Sequence, residues 1–196
     1  MGRKTWRHGF LPFLILVAAL ADAAGSAAAS FELTDKDREQ AIRAGKKSVV
    51  SDEFGGEWRV QDAGGQGLVV MTPFYRLAIA ARNQAFRGGE LNPREIESLL
   101  KDYTGHVSFW ATLRGAKADF ARFYTPTLQA GATEVKASFV QNERTALRED
   151  DGRYAARCLW VFPAEGIDPK SRVTLVVRDA DEKEVAKFTV DLAAMR

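Results

Sequence analysis

The chain has 196 residues, among them 28 basic residues, 26 acidic residues, two histidines and one cysteine. Its hydrophobic content of 46% excludes an intrinsically disordered chain, and its length is enough for one domain with a full core or for two small domains. The lone cysteine, Cys158, excludes an intramolecular disulfide. Because its neighbours are apolar, we predict that its thiol is buried.

The first thirty residues have the layout of a secretory signal peptide. Arg3, Lys4 and Arg7 form a basic head, residues 10–21 form an apolar run, and a tail of small residues follows. A helix that spans a bilayer needs about 20 apolar residues, and this run is shorter. We therefore predict an export signal that is removed from the mature protein.

Two patterns of small residues could mark the cleavage site. Ala27-Ala28-Ala29 is favoured, which makes residues 1–29 the signal peptide, and Ala21-Asp22-Ala23 is the alternative. The alternative to cleavage is an uncut segment that tethers the domain to the membrane surface. We expect an exported protein, periplasmic or secreted, that contacts the membrane only transiently through its signal peptide.

Loss of the signal peptide changes the charge of the chain. It removes Arg3, Lys4, Arg7 and Asp22, which leaves equal numbers of basic and acidic residues. The sequence pI of about 8.7 therefore belongs partly to the leader. A neutral mature chain does not predict binding to nucleic acid.

The mature chain begins with a helix and a hairpin. Thr34 is a suitable N-cap, Asp35 and Asp37 suit the first turn, and Gly45 is the predicted helix end. We expect this helix on the surface because few of its residues are apolar. Two short strands, residues 57–60 and 68–71, then flank a glycine-rich loop, which predicts a β-hairpin.

Two helices with clear signals follow the hairpin. Thr72-Pro73 begins the first and Gly88-Gly89 ends it. Its apolar face is formed by Phe74, Leu77, Ala78, Ala81 and Ala85. Asn92 begins the second with a relative of the capping box, and Gly105 ends it. Its apolar positions are Ile96, Leu99, Leu100 and Tyr103.

After Gly105 the hydrophobic period changes from helical to two. The alternation predicts strands at residues 107–113, 135–139, 154–162, 172–178 and 184–192. Without intervening helices, these strands indicate an antiparallel sheet or sandwich. The predicted fold class is α+β: an N-terminal helical region with a short hairpin (residues 30–105), packed on or beside a C-terminal antiparallel β-sandwich or sheet (residues 106–196). We expect residues 30–196 to form one compact unit.

The strand spacing of residues 106–192 resembles the immunoglobulin-like sandwiches that are common in exported bacterial proteins. The paired cysteines of antibody-type domains are absent, and so broad a resemblance implies no binding residues. The mature sequence as a whole also resembles a small exported bacterial protein of an uncharacterised family, which implies no activity.

The sequence nominates no catalytic residue, no metal ligands and no cofactor. His106 is the one imidazole of the mature chain, but no Gly-x-Ser-x-Gly elbow accompanies it, so a hydrogen-bonded junction residue is favoured over a catalytic base. Glu149-Asp150-Asp151 could bind calcium but fits a solvated turn better. Gly64-Gly65-Gln66-Gly67 lacks the lysine of a phosphate loop and fits a hairpin turn.

A candidate binding surface lies on the helix that Thr72 begins. Arg76, Asn83 and Arg87 share one stripe, and Tyr75 and Arg82 flank it. Arginine beside tyrosine suits recognition of a carboxylate, a phosphate or a partner protein, although an ordinary solvated helix face is the alternative.

We predict a structural role for the three tryptophans of the mature chain. We expect Trp58, Trp110 and Trp160 to be core or half-buried sheet residues. Trp110 is the exception if Val107 and its alternating neighbours face inward, because Trp110 then points outward.

These observations favour a non-catalytic exported module that binds or scaffolds a protein partner of the bacterial cell envelope. The alternatives are a periplasmic hydrolase acting on an envelope polymer or small ester, and a membrane-tethered structural domain.

Overall fold

The computed structural model describes residues 31–51 and 53–196, so the predicted signal peptide lies outside the described residues. Within them are three α-helices: α1 (Asp35–Lys47), α2 (Pro73–Phe86) and α3 (Pro93–Lys101). The same residues form ten strands: β1 (Arg59–Gln61), β2 (Gly67–Met71), β3 (His106–Gly115), β4 (Thr125–Ala130), β5 (Thr133–Lys136), β6 (Phe139–Asn142), β7 (Leu147–Arg148), β8 (Tyr154–Pro163), β9 (Arg172–Arg178) and β10 (Glu184–Asp191). The predicted α+β class is confirmed.

The strands form two antiparallel sheets. The larger sheet has the order β1-β2-β3-β8-β6, and β7 also pairs with β8. The smaller sheet has the order β10-β9-β4-β5. The predicted hairpin exists as β1 and β2, and β2 pairs with β3. The N-terminal region therefore adds two strands to the larger sheet.

Side chains from both sheets form one hydrophobic core. Phe109 of β3 and Trp160 of β8 are fully buried, as are Leu175 and Phe188 in the smaller sheet. Because side chains alternate between the faces of a strand, the buried row of β3 (Val107, Phe109, Ala111 and Leu113) places Trp110 on the opposite face.

The helix caps follow the sequence signals. Thr72 accepts a hydrogen bond from the Tyr75 backbone N–H at 3.1 Å, and Asn92 forms a capping box with Glu95. Thr34 likewise caps α1 through a capping box with Asp37. These signals are local, which is why the sequence alone reveals them.

The predicted end of α1 at Gly45 is wrong, because the helix continues to Lys47. Gly45 lies buried where α1 packs on α2. A β-carbon at this position would lie 2.1 Å from the Ala78 carbonyl oxygen. Gly45 therefore permits a close approach between two helices and does not end one.

The strand predictions for β3, β8, β9 and β10 are confirmed to within one or two residues at each end. The predicted strand at residues 135–139 is wrong as a single element. It divides at Ala137-Ser138 into β5 of the smaller sheet and β6 of the larger one. The sequence pattern does not predict β4, whose Pro126 is unusual within a strand, or the two-residue strand β7.

Candidate binding surface

Two of the residues proposed on α2 make contacts within the fold. Tyr75 is buried, and its ring stacks on Trp58 with the ring centroids 4.2 Å apart. Burial raises the pKa of the Tyr75 hydroxyl. The Cζ atom of Arg76 lies 3.5 Å from the ring centroid of Tyr103, and burial lowers the pKa of this guanidinium. Tyr75 and Arg76 therefore pack within the fold and are not free to bind a ligand.

Of the other three residues proposed on α2, one packs within the fold and two lie on the surface. Arg82 is half-buried, lies over the Phe54 ring and donates a long hydrogen bond of 3.4 Å to the Ser51 carbonyl. Asn83 and Arg87 are exposed. The structure thus leaves two of the five side chains free on the helix surface, and binding by this stripe stays a prediction.

The remaining polar candidates have structural partners. The Nδ1 atom of half-buried His106 lies 2.9 Å from the Thr104 carbonyl oxygen, as expected of a junction residue. Glu149 accepts two hydrogen bonds from the Arg114 guanidinium, at 2.7 and 3.1 Å. Asp151 accepts a hydrogen bond from the Arg153 backbone N–H at 3.0 Å and another from the Arg153 guanidinium at 2.7 Å, and these two bonds hold the pKa of Asp151 below its usual value.

The glycine-rich segment 64–67 forms the predicted hairpin turn. Gly65 has a φ of 78°, a conformation that favours glycine, and its backbone N–H bonds to the Asp62 carbonyl. Cys158 is buried as predicted, and burial raises the pKa of its thiol to about 11. Across residues 31–51 and 53–196, no group of three His, Cys, Asp or Glu side chains could hold a metal ion.

A surface that the sequence did not nominate lies on the outer face of the larger sheet. Trp110 is 52% exposed there, as the alternation of β3 predicts, whereas Trp58 and Trp160 are buried. The strand register places Val69 and Leu159 directly opposite Trp110 on neighbouring strands. We call the group on this outer face the Trp110 face: Val69, Trp110, Phe139, Leu159 and Val161.

The β6 end of the Trp110 face is exposed. Phe139 lies opposite Val161 and is 49% exposed. Gln141 lies opposite Leu159 and continues the row that contains Trp110. A continuous set of apolar side chains on a sheet exterior is a feature of contact surfaces.

An open cleft of about 280 Å³ adjoins Trp110. Its walls include Leu159 and Gln141, together with the ion pair of Arg157 and Glu143, whose side chains approach to 3.5 Å. Glu143 also accepts a hydrogen bond from the Arg157 backbone N–H at 2.7 Å. The cleft therefore combines an aromatic wall with a charge pair of zero net charge.

A second cleft, of about 430 Å³, lies on the other side of Gln141. We call it the β6 cleft, and it is lined by Arg122, Phe123, Val140, Gln141, Asn142 and Arg144. Phe123 is 66% exposed and Val140 is 44% exposed. Both arginines are exposed as well, so the cleft presents apolar and cationic groups together.

Asn142 fixes the position of β6 against the core. Its side-chain oxygen accepts a hydrogen bond from the indole N–H of Trp160 at 2.9 Å. Its side-chain nitrogen donates to the Tyr124 carbonyl at 2.8 Å. These bonds tie β6 to β8 and to the loop before β4, and they fix the two walls of the β6 cleft.

No known protein-family model matches the chain, and neither does any curated protein sequence. The chain is weakly similar to the crystal structure of a protein of unknown function from Burkholderia pseudomallei. The two are 10% identical with a TM-score of 0.40, over 83% of this chain and 92% of that chain. A likeness at this level supports no inference about function. No helix in the described ranges is long and apolar enough to cross a membrane.

Proposed function

We propose that the mature chain is a non-catalytic, exported binding module that contacts a protein partner of the cell envelope through the Trp110 face. The observation that carries the proposal is the exposure of Trp110 and Phe139 on one sheet face, beside two clefts. Export is supported by the basic head and the apolar run of residues 1–29.

Physical chemistry favours binding at this face. Exposed aromatic side chains bury a large apolar area on contact, and Trp and Tyr are enriched among residues that dominate interface energies. The backbone of Trp110 is already ordered, because its strand is paired on one side with β2 and on the other with β8. A rigid aromatic surface loses little conformational entropy when a partner binds.

The proposal is tested with immobilised mature protein in an envelope extract. We expect a specific partner to be recovered by the unmodified protein and lost with the double variant Trp110→Ser, Phe139→Ser. The matched control is Val50→Ser, Phe86→Ser, which removes two side chains that are 94% and 78% exposed elsewhere. Equal recovery by both double variants would contradict the proposal. Mass spectrometry of the exported protein tests its location, with an N-terminus near Ser30 expected.

A further inference from the structure

β6 has one free edge within the part of the chain that the structure describes. It pairs only with β8, and Glu143, directly after it, donates its backbone N–H to the Arg157 carbonyl at 3.2 Å. Backbone groups alternate in direction along an antiparallel strand. The N–H and C=O groups of Val140 and Asn142 therefore point away from β8, and no described residue bonds to them.

Apart from its length of four residues, this edge carries none of the common guards against pairing with another chain. Its sequence, Phe-Val-Gln-Asn, has no charge and no proline. Phe139 and Val140 are both about half exposed on it. An apolar strand edge with free backbone groups is the geometry that accepts an added strand.

The charge of the β6 cleft narrows the choice of partner. Arg122 contacts Phe123 through its guanidinium, 5.1 Å from the ring centroid, and forms no ion pair with a described residue. Arg144 also has no acidic partner among the described residues. Glu143, next to Arg144, is already paired with Arg157, and Asp119, three residues before Arg122, forms no ion pair with it. The β6 cleft thus carries two uncompensated positive charges beside a free strand edge.

We infer that the β6 cleft binds an extended peptide segment of a partner protein that carries both acidic and apolar side chains. This inference rests on the proposed function and names the chemistry of its partner. The segment adds to the edge of β6 as an antiparallel or parallel strand, with backbone bonds to Val140 and Asn142. Its carboxylates pair with Arg122 and Arg144, and its apolar side chains contact Phe123 and Val140.

A second copy of this chain fits the edge less well. Symmetric pairing of β6 with β6 would bring the same surface of each copy together. Arg122 and Arg144 of one copy would then face those of the other. Like charges at an interface are unfavourable, so charge complementarity favours an acidic segment.

The test uses a fluorescent synthetic peptide in which valine and glutamate alternate, titrated against the mature protein by anisotropy. We expect binding that weakens as salt is added, and no binding of the same peptide with lysine in place of glutamate. The double variant Arg122→Glu, Arg144→Glu should bind about tenfold more weakly or worse. The control Arg94→Glu, Lys187→Glu makes the same change of charge at exposed positions elsewhere and should bind normally.

A second pair of variants tests the strand edge itself. Val140→Pro removes the outward N–H without removing a bond to β8, and proline is tolerated where a strand edge faces solvent. Val140→Thr keeps the N–H and the branched side chain. We expect loss of peptide binding with Val140→Pro and retention with Val140→Thr, with circular dichroism confirming that both are folded.

Several outcomes would overturn the inference. Equal binding of the glutamate and lysine peptides would show that charge does not determine binding. Normal binding by folded Val140→Pro would show that the peptide does not pair with the edge of β6. A concentration-dependent dimer that Val140→Pro abolishes would make a second copy the occupant. If the peptide fails while the Trp110 and Phe139 variant still loses its partner, this inference falls and the proposed function stands.

Discussion

The guanidinium of Arg76 lies over the ring of Tyr103, with Cζ 3.5 Å from the ring centroid. This contact joins α2 to the turn after α3, and it explains why an arginine on the candidate stripe is not available to a ligand. Nε of Arg76 is buried without a hydrogen-bond partner among the described residues. The aromatic face of Tyr103 is thus the main compensation for burying this charge.

Removal of the Tyr103 ring should therefore destabilise the fold. We expect Tyr103→Ala to lower the free energy of unfolding by about 1–2 kcal/mol, because a partly desolvated cation–π contact is lost. Tyr103→Phe keeps the ring and should be close to neutral. Urea unfolding of the two variants measures the difference, and equal stability would contradict this role for the ring.

The contact between Arg76 and Tyr103 also determines which variants can test binding by the stripe of Arg76, Asn83 and Arg87. Arg76→Glu would place a carboxylate against the Tyr103 ring and weaken the fold, so any loss of binding would be ambiguous. We expect Asn83→Asp combined with Arg87→Glu to lower the unfolding free energy by no more than about 1 kcal/mol, because both side chains are exposed although the new carboxylates lie at the C-terminal end of α2. Loss of partner recovery with this folded variant would support the stripe, whereas unchanged recovery would remove it as a binding surface.

The effect of Gly45→Ala on the unfolding free energy distinguishes an ordinary helix glycine from one that permits a close contact between two helices. In an ordinary helix interior, alanine is more stable than glycine by roughly 0.5–1 kcal/mol. Here the added β-carbon would meet the Ala78 carbonyl oxygen at 2.1 Å and the Ala81 β-carbon at 2.9 Å. We therefore expect Gly45→Ala to destabilise the protein by about 3 kcal/mol.

The control for this variant is Gly56→Ala, since a β-carbon at Gly56 would meet nothing within 4 Å. It should change the unfolding free energy by less than about 1 kcal/mol. Thermal or urea denaturation measures both variants. A stabilising effect of Gly45→Ala would show that α1 and α2 do not pack as closely as the structure has them.

Cys158 should make stability depend on alkaline pH. The unfolded thiol ionises near pH ~8.5, and burial raises the pKa of Cys158 to about 11 in the fold. Since the folded pKa is the higher one, the contribution is complete below about pH 8.5. It is lost as the pH rises through the folded pKa, by roughly 3 kcal/mol in total.

Cys158→Ala provides the comparison. We expect its unfolding free energy to fall less steeply between pH 8.5 and about 11 than that of the unmodified protein. The slope that persists would come from Tyr75 and Tyr124, whose pKa values burial also raises. Identical slopes would contradict the burial of the thiol, as would rapid alkylation of the native protein at neutral pH.

Local signals explain which parts of the fold could be predicted from the sequence. The caps at Thr72 and Asn92 act through residues three positions away, and the alternation around Trp110 requires only one strand. Gly45 looked like a helix end because the packing of Ala78 against it is not visible in the sequence. The division at Ala137-Ser138 depends on which sheet each strand joins, so period-two alternation cannot show it.

The candidate site was harder to predict for the same reason. Arginines and a tyrosine at helical spacing are visible in sequence, but the rings of Trp58 and Tyr103 that cover Tyr75 and Arg76 are not. The β6 cleft is lined by residues 122–123, which precede a strand of the smaller sheet, and by side chains of residues 140–144, which lie in or just after a strand of the larger sheet. The sequence signal that could have pointed to this region is the conditional exposure of Trp110.

The most direct test of the proposed binding surface is site-specific photo-crosslinking in cells that express the full chain. A photoreactive phenylalanine analogue at Phe139, on the Trp110 face, is compared with the same analogue at Phe86, at the end of α2. Both side chains are exposed, so neither replacement should disturb the core. We predict a discrete adduct with an envelope protein from Phe139 and none from Phe86. An adduct from Phe86 alone would contradict the account, and so would the absence of any adduct from Phe139.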